Sequence, residues 1–171
     1  IDPNGDDSLN NPGTQNSPFR TMAGARNAVS QRYIFTSMGS LTYNINPGTY
    51  ELDADNRNAV GEATHPVEII FQASDPNNKP LMTTDYFISG RGHRTYANLR
   101  LAGNNSHVLC AHRNAGIIVR SCEVIAQASN ISLVYVHSNG VIYLQESLTL
   151  DGGGYAQDIA LGCHQAQILI H

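Results

Sequence analysis

The chain is built mainly from short runs in which apolar and polar residues alternate. Residues 41–45 and 67–71 show this alternation clearly, and each run ends at a turn-like segment, 46–48 and 74–78. Alternation with a period of two places every second side chain on one face of a strand. The pattern therefore predicts β-strands separated by tight turns.

A helical pattern occurs near the start of the chain. Met22, Ala25 and Val29 recur at helical spacing, and Ser17-Pro18 is typical of an N-cap followed by a proline in the first turn. The spacing predicts one helix over residues 18–33. A helix in this place would cover the open end of a sheet and prevent edge-to-edge association.

The second half of the chain contains an internal repeat. Three segments align by their histidines at spacings of 25 and 27 residues: His112, His137 and His164. Each segment carries an apolar pair before its histidine: Leu109/Ala111, Val134/Val136 and Leu161/Cys163. Each also carries a second apolar pair after it: Ile117/Val119, Ile142/Leu144 and Ile168/Ile170. Two apolar columns that persist through three units indicate repeated structural coils.

A repeat of this length without helices predicts a parallel β-helix, in which each unit is one coil and each column stacks in one sheet. A propeller blade would need about 40 residues, and a leucine-rich repeat would show its own leucine pattern. Asn98–Leu101 is expected to supply an earlier coil, about 18 residues before Ile117. All interior columns are expected to be apolar.

Composition supports turns and excludes several classes of protein. The chain has 171 residues, 17 asparagines and 15 glycines, only 14% charged residues and a net charge of −4. One lysine stands against nine arginines without any basic run, which argues against nucleic-acid binding. A coiled coil would be rich in Ala, Glu, Lys and Leu, and a disordered chain would be less hydrophobic than 41%. No apolar run is long enough to suggest membrane insertion.

The cysteines and the chain ends add two expectations. Cys110, Cys122 and Cys163 show no zinc-ligand spacing, so they are expected to be buried small hydrophobes. The first residues lack the features of a signal peptide, and residues 167–171 form a strand-like run. The chain is thus expected to be a fragment that is truncated at its C-terminus.

The N-terminal motifs resemble a known superfamily. Asp2-Pro-Asn-Gly-Asp-Asp-Ser8, the segment from Gly13 to Thr21, and Ile45-Asn-Pro-Gly-Thr-Tyr50 are similar to the opening of right-handed parallel β-helix proteins of the pectate-lyase-like superfamily. The resemblance covers residues 1–52 by motif and 95–171 by period. It implies an all-β, right-handed, single-stranded parallel β-helix with a short N-terminal capping α-helix. Residues 1–40 would form the turn and capping helix and 41–171 the coils of one domain.

The same resemblance implies a function. The superfamily includes phage tailspikes and tail fibres, polysaccharide lyases and hydrolases, and bacterial surface proteins. The Asn-rich, Lys-poor composition looks most like a phage tail protein. The expectation is a non-enzymatic structural and adhesive component of a tail spike or fibre, located in the virion tail or outside the cell. It would be a homotrimer that contacts a bacterial surface glycan and other virion tail proteins, with no nucleic acid and no membrane insertion. Two alternatives stay open, a depolymerase of bacterial surface polysaccharide and a bacterial surface adhesin.

The histidine column is the first candidate site. Alternation places His112, His137 and His164 opposite the apolar residues, so they should point outward, with Tyr135 beside His137. Strands of adjacent coils lie about 4.8 Å apart, so three such imidazoles would span about 10 Å and would strain around one metal ion. A polar ladder and a glycan-contacting surface remain as interpretations, and no metal or cofactor is expected.

Two asparagines and four N-terminal polar residues have structural interpretations. Asn114 and Asn139 each follow a histidine by two residues and are expected to form a short ladder at a corner, which Ala166 interrupts. Asp2, Asn4, Asp6 and Asp7 are similar to a calcium loop, but an EF-hand needs a glutamate where Gly13 stands. Asx-turns are the expected role of this cluster.

Glutamates supply the candidates for catalysis. Hydrolysis of a glycosidic bond uses two carboxylates about 5–10 Å apart. Glu123 and Glu146 lie 23 residues apart, in successive coils, and are candidates to share a face. The alternative is that they are isolated surface acids, as Asp85 and Asp151 would be. A lyase would add an arginine, for which the sequence offers Arg91, Arg94 and Arg100.

Overall fold

The fold is described by a computed structural model, which covers residues 1–8, 10–32, 39–52, 68–84, 87–89, 93–104, 107–155 and 161–171. Asp85 and Arg91 lie outside the described residues. One helix, α1, spans Met22–Arg32. The strands follow in this order: β1 (Ser40–Ile45), β2 (Thr49–Glu51), β3 (Glu68–Ala73), β4 (Leu81–Thr84), β5 (Phe87–Ser89), β6 (His93–Ala97), β7 (Arg100–Gly103), β8 (His107–Ala111), β9 (Gly116–Arg120), β10 (Glu123–Ala126), β11 (Ser132–His137), β12 (Val141–Gln145), β13 (Thr149–Asp151), β14 (Leu161–His164) and β15 (Gln167–Ile170).

Three parallel sheets run along the molecule. The first has the order β1-β3-β6-β9-β12-β15, the second β2-β4-β7-β10-β13, and the third β5-β8-β11-β14. Strands that are neighbours in a sheet come from successive passes of the chain, and every pairing is parallel. From β3 to β14, each coil therefore adds one strand to each sheet. The predicted all-β parallel β-helix with one short N-terminal helix is confirmed.

The register of the second half confirms the repeat. Ile142 pairs with Ile117 on one side and with Ile168 on the other. In the third sheet, Val136 pairs with Ala111 and Cys163, and His137 pairs with His164. The two apolar columns of the repeat are therefore columns of neighbouring strands.

Aromatic rings stack inside the first coils. Tyr43, Phe71 and Tyr96 occupy paired positions on β1, β3 and β6, and each pair of successive rings has its centroids 5.3 Å apart. All three side chains are buried. Apolar burial and ring stacking act together here, and each buried aromatic pair adds about 0.5–1.5 kcal/mol beyond its area.

Two predictions about the earlier coils are wrong. Leu101 pairs with Val124 in the second sheet, whereas the partner of Ile117 in the preceding coil is Arg94. Arg94 lies between two isoleucines in an interior column and is only 1% exposed, so that column is not wholly apolar. The sequence pattern favours Leu101 as the earlier partner of Ile117, because an interior arginine interrupts the apolar column.

The corners between sheets use left-handed backbone conformations. Asn114 and Asn139 both have φ of 63° at the corner between the third and first sheets, which supports the predicted ladder of turn residues. The next corner is one residue shorter, because His137 pairs with His164 while Val141 pairs with Gln167. This shortening explains why no asparagine follows Asn139 in the column.

The helix begins later than predicted. Its N-cap is Thr21, whose Oγ1 accepts a hydrogen bond of 3.0 Å from the backbone N–H of Gly24. The side chain of Asp7 accepts three further hydrogen bonds, from the N–H of Arg20 and from the N–H and hydroxyl of Thr21. Ser17 instead donates its hydroxyl to Asn11. Capping from the distant Asp7 is invisible to a local pattern.

The helix contributes to the core of the first coil. Its buried residues, Met22, Ala25 and Ala28, belong to the same hydrophobic cluster as Tyr43 and Ile45 of β1, the outermost strand of the first sheet. The stretch of 11 residues is too short to cross a bilayer, and no other helix occurs among the described residues.

The cysteines differ from one another. Cys110 and Cys122 are buried, as predicted, whereas Cys163 is exposed on β14, the outermost strand of the third sheet. Burial raises the pKa of the Cys110 and Cys122 thiols to about 11. These two residues therefore act as neutral packing groups.

Candidate functional site

A cluster of rings lies on the third sheet, and we name it the imidazole–tyrosine patch. It comprises the following residues of β8, β11, β14 and the corner after β8: His107, His112, Tyr135, His137 and His164. His112, Tyr135 and His137 are partly exposed, whereas Ala111 and Val136, with which they alternate, are fully buried. The prediction that the histidine column points outward is confirmed.

The rings contact one another across neighbouring coils. His107 stacks on Tyr135 with centroids 4.4 Å apart and planes inclined by 7°. His112 stacks on His137 with centroids 5.3 Å apart and an inclination of 10°. Tyr135 and His137 meet at 5.7 Å and 43°, which joins the two stacks into one continuous surface. His137 Nδ1 also lies 3.0 Å from the hydroxyl oxygen of Ser138.

Buried apolar residues lie beside the patch on the same strands. Val108, Cys110 and Leu133 share the alternation of His112, Tyr135 and His137, yet all three are buried, with exposures of 0%, 4% and 3%. The stacked rings and their packed neighbours limit the rotamers that each ring can adopt. The patch is therefore a pre-organised surface.

The patch combines a histidine of lowered pKa with a neighbouring exposed arginine. Burial, and to a smaller extent the nearby His137, lowers the pKa of His107 below its ordinary 6.5. The Nδ1 atom of His107 is buried, and it has no hydrogen-bond partner among the described residues. The exposed Arg113 follows His112 at the corner. Neither the described strands of this sheet nor residues 112–115, 138–140 and 165–166 contain an aspartate or a glutamate.

Sequence reasoning found every member of the patch except His107. Alternation assigns His107 to the same side as the interior residue Leu109, so the period-of-two rule predicts that it points inward. Its ring instead packs on Tyr135, 28 positions further along the chain. Only the three-dimensional register reveals that contact.

The two glutamates named as catalytic candidates lie in different places. Glu123 starts β10, and its Oε2 accepts a hydrogen bond of 2.9 Å from Nε of Arg100 in the preceding coil. Glu146 occupies a left-handed corner position with φ of 62°, and its Oε2 accepts a 2.6 Å hydrogen bond from Ser121. The strand position paired with Glu123 in the following coil belongs to Thr149. The two carboxylates are not members of one column.

The N-terminal acidic residues form turns, as predicted. Asp2 accepts hydrogen bonds from the N–H of Asn4 and from the amide of Asn46, and Asp6 accepts two from Ser8. These bonds lower the pKa of both carboxyls. Within the described part of the chain, no group of three or more His, Cys, Asp or Glu side chains is arranged to hold a metal ion.

A cavity of about 500 Å³ lies between the N-terminal segment with α1 and strand β1. Its walls include Phe19, Ala28, Tyr43 and Arg32, the last of which donates Nη1 to the carbonyl oxygen of Asn11 at 2.6 Å. Sequence reasoning missed this cavity, because its two walls are formed by segments that are far apart in the chain.

Comparison of the chain with models of protein families, with curated proteins and with solved structures finds no match. The functional interpretation consequently depends on the residues and geometry of the molecule itself.

Proposed function

We propose that the protein is a structural and adhesive β-helix of a phage tail spike or fibre, and that its imidazole–tyrosine patch contacts a glycan on the bacterial surface. The stack of His107 on Tyr135 carries the proposal. Flat, stacked and partly exposed rings offer a surface on which the C–H faces of a sugar ring can rest. Imidazole nitrogens at the edge of the same surface can exchange hydrogen bonds with sugar hydroxyls.

The rigidity of the β-helix supports an adhesive role. Strands β3 to β14 form four successive coils that are hydrogen-bonded to one another through three sheets, and four of the five patch residues lie on strands of these coils. Immobilised rings lose little conformational entropy when a ligand binds, which favours weak, repeated contacts along a polysaccharide. Such contacts accumulate when several copies of the protein bind one surface.

The proposed assembly is a homotrimer formed by three copies of this chain. Part of an outer column of the first sheet supports it, because three successive members are apolar and only partly buried: Ile118, Tyr143 and Leu169. Polar pairs flank the column, such as Arg120 with Gln145, whose Nε and Oε1 lie 2.8 Å apart. An apolar centre with a polar rim is the usual anatomy of a protein interface.

A glycan-binding assay tests the adhesive role. Wild-type protein and the Tyr135→Ala variant are applied to an array of purified bacterial lipopolysaccharides and capsular polysaccharides. We expect binding to at least one polysaccharide and its loss in Tyr135→Ala. Tyr155→Ala serves as the control, because it removes an exposed tyrosine that lies outside the patch and outside the apolar column. Absence of binding by the wild type, or unchanged binding by Tyr135→Ala, would contradict the proposal.

A mass measurement in solution tests the assembly. The single chain has a mass of 18.5 kDa, and the proposal expects a species three times heavier. Tyr143→Glu places a charge in the centre of the apolar column and should shift the species to monomer. A wild-type protein that stays monomeric at high concentration would contradict the trimer and leave the glycan surface unaffected.

A further inference from the structure

Ile1 is bonded to the outer edge of β1 in the manner of one residue of an added strand. Its backbone nitrogen donates to the carbonyl oxygen of Asn44 at 2.5 Å. Its carbonyl oxygen accepts a hydrogen bond of 2.8 Å from the N–H of Asn46. This is the hydrogen-bond pattern of a parallel pair, in which Ile1 stands opposite Ile45. The contact fixes the direction and the register of a strand that lies along the rest of this edge.

The rest of the edge is unpaired in the described part of the chain. β1 is the outermost strand of the first sheet and pairs with β3 on its other side. The N–H of Ser74 bonds to the carbonyl oxygen of Ile45, so the backbone groups of Ile45 face β3. Neighbouring residues of a strand direct their backbone groups to opposite sides, so those of Thr42 and Asn44 face outward. Among the described residues, only Ile1 bonds to this outward side of β1.

The cavity of about 500 Å³ provides space beside these backbone groups. Residues 41–44 line it from β1, and Ala25, Ala28 and Val29 line it from α1. Its volume lies in the range of about 300–1,000 Å³ that is usual for ligand sites. A sheet edge with outward backbone groups and apolar walls is the arrangement that binds an extended peptide by strand addition.

A column of stacked rings ends at this cavity. Tyr43 stacks on Phe71 with an inclination of 14°, and Phe71 stacks on Tyr96 with an inclination of 11°. Tyr43 lies on the outermost strand and lines the cavity, and no ring of the described residues continues the column beyond it. An aromatic side chain opposite Tyr43 on an added strand would extend the column by one level.

We propose that the cavity binds an extended peptide segment of a partner protein, which joins β1 as a parallel strand and places an aromatic side chain on Tyr43. Ile1 already stands opposite Ile45, so the bound peptide has its carboxyl end next to Ile1. Its backbone exchanges hydrogen bonds with Thr42 and with the N–H of Asn44. Its residue opposite Leu41 is apolar, because that side chain lies on the same face as the aromatic ring.

A short peptide and two methylated forms of it test strand addition. The peptide acetyl-Thr-Val-Thr-Tyr-amide matches the four positions from Ser40 to Tyr43 in the register that Ile1 sets. Binding to the full chain is measured by NMR titration, and we expect a Kd below about 1 mM. Methylation of the tyrosine nitrogen removes the hydrogen bond to the carbonyl oxygen of Thr42, so the affinity should fall about tenfold. Methylation of the preceding threonine nitrogen, which faces away from β1, is the matched control and should change the affinity little.

Two variants assign the binding to the cavity. Val29→Phe fills the space between α1 and β1 from a partly exposed position and should abolish binding of the peptide. Asn27→Phe places the same side chain at an exposed position of α1 that does not line the cavity, and it should bind as the wild type does. Circular dichroism of both variants verifies that they are folded.

Three results would overturn the peptide site. The first is a wild type that does not bind the peptide, including one in which self-association of the chain covers β1 instead. The second is an equal effect of the two methylations, and the third is full binding by a folded Val29→Phe. Each of these results leaves the proposed glycan contact unaffected, because the imidazole–tyrosine patch lies on the third sheet.

Discussion

The imidazole rings of His112 and His137 lie face to face in neighbouring coils, with centroids 5.3 Å apart and planes inclined by 10°. This stack brings the corner after β8 against the end of β11. Beside it, burial first and His137 second lower the pKa of His107 from its ordinary 6.5. Protonation of His107 is therefore expected to destabilise the fold in mild acid.

The first prediction is a loss of stability below about pH 6.5. The unfolded chain carries His107 with its ordinary pKa of 6.5, and the folded chain carries it with a lower one. Between these two values the unfolded state binds more protons, so the free energy of unfolding rises with pH and falls as the solution is acidified. Urea unfolding at several pH values between about 5 and 8 measures this slope.

A variant isolates the contribution of that histidine. His107→Gln should flatten the slope, whereas His93→Gln on the first sheet should leave it unchanged. Asp2 and Asp6 do not confuse the measurement, because their lowered carboxyl pKa values affect stability only near and below 3.8. An identical slope in wild type and His107→Gln would show that this ring is not the group responsible.

The second prediction concerns the corner after the stacked histidines. A Cβ atom at Gly140 would lie 2.5 Å from the carbonyl oxygen of Ala111 in the preceding coil, a contact that forces the backbone apart. Gly140→Ala should therefore cost about 1–3 kcal/mol in the free energy of unfolding. The variant tests this coil in particular, because an alanine, Ala115, already holds the equivalent corner position one coil earlier. Urea unfolding measures the loss.

Asn139→Gly is the matched control for that corner. Asn139 has φ of 63°, a conformation that glycine adopts without steric cost, so this variant should change stability by less than about 1 kcal/mol. If Gly140→Ala is as stable as wild type, the corner has room that the geometry does not show.

Periodicity and alternation predict much of this fold from sequence, for reasons that particular residues make clear. Ile117, Ile142 and Ile168 keep their column because each interior position of a β-helix must be covered by the next coil, which imposes the same apolar choice at a fixed spacing. Arg94 breaks this rule in one coil, so the apolar pattern assigns the wrong strand as the earlier partner of Ile117. A pattern of apolar residues contains no information about such an exception.

The outward position of the histidine column was predictable from sequence, whereas the contacts between side chains of neighbouring coils were not. Alternation suffices to place His137 on the outer face, since neighbouring side chains of a strand point to opposite sides. Contact between His107 and Tyr135, and the pairing of Glu123 with Arg100, depend on register between coils. Local sequence does not determine that register when coil lengths vary.

The third prediction reverses the usual effect of a helix substitution. Replacing a glycine in a helix by alanine normally stabilises by about 0.5–1 kcal/mol. At Gly24 the new Cβ would lie 2.3 Å from Oδ1 of Asp7, the oxygen that accepts the N–H groups of Arg20 and Thr21. Gly24→Ala should displace this carboxylate and lower the free energy of unfolding by about 1–2 kcal/mol, the worth of a lost cap.

A double-mutant cycle shows whether Asp7 causes the loss. In the background of Asp7→Ala the obstruction is gone, so adding Gly24→Ala should be neutral or stabilising. Asp6→Ala serves as the control background, because it removes a neighbouring carboxylate whose hydrogen bonds, within the described residues, go to Ser8 and not to the helix. If Gly24→Ala costs the same in all three backgrounds, the contact with Asp7 is not its cause.

The last prediction addresses the enzymatic alternative, a hydrolase or lyase that uses Glu123 and Glu146. Catalysis by two carboxylates requires that both face one sugar, with one kept protonated by its surroundings. Glu123 forms an ion pair with Arg100, and both side chains are about two-fifths exposed. Glu146 accepts a hydrogen bond from Ser121 at a corner. The strand position paired with Glu123 in the following coil belongs to Thr149, so the two carboxylates do not stand in one column. We therefore expect that Glu123→Gln and Glu146→Gln leave glycan binding unchanged, and that neither the variants nor the wild type shorten a bound polysaccharide. Size-exclusion chromatography after prolonged incubation measures the length of the polysaccharide.

The exposed pair of Arg100 and Glu123 should also contribute less than about 1 kcal/mol to stability, so Glu123→Gln should fold normally and keep the assay interpretable. Shortened chains with the wild type that disappear in either variant would establish the depolymerase instead.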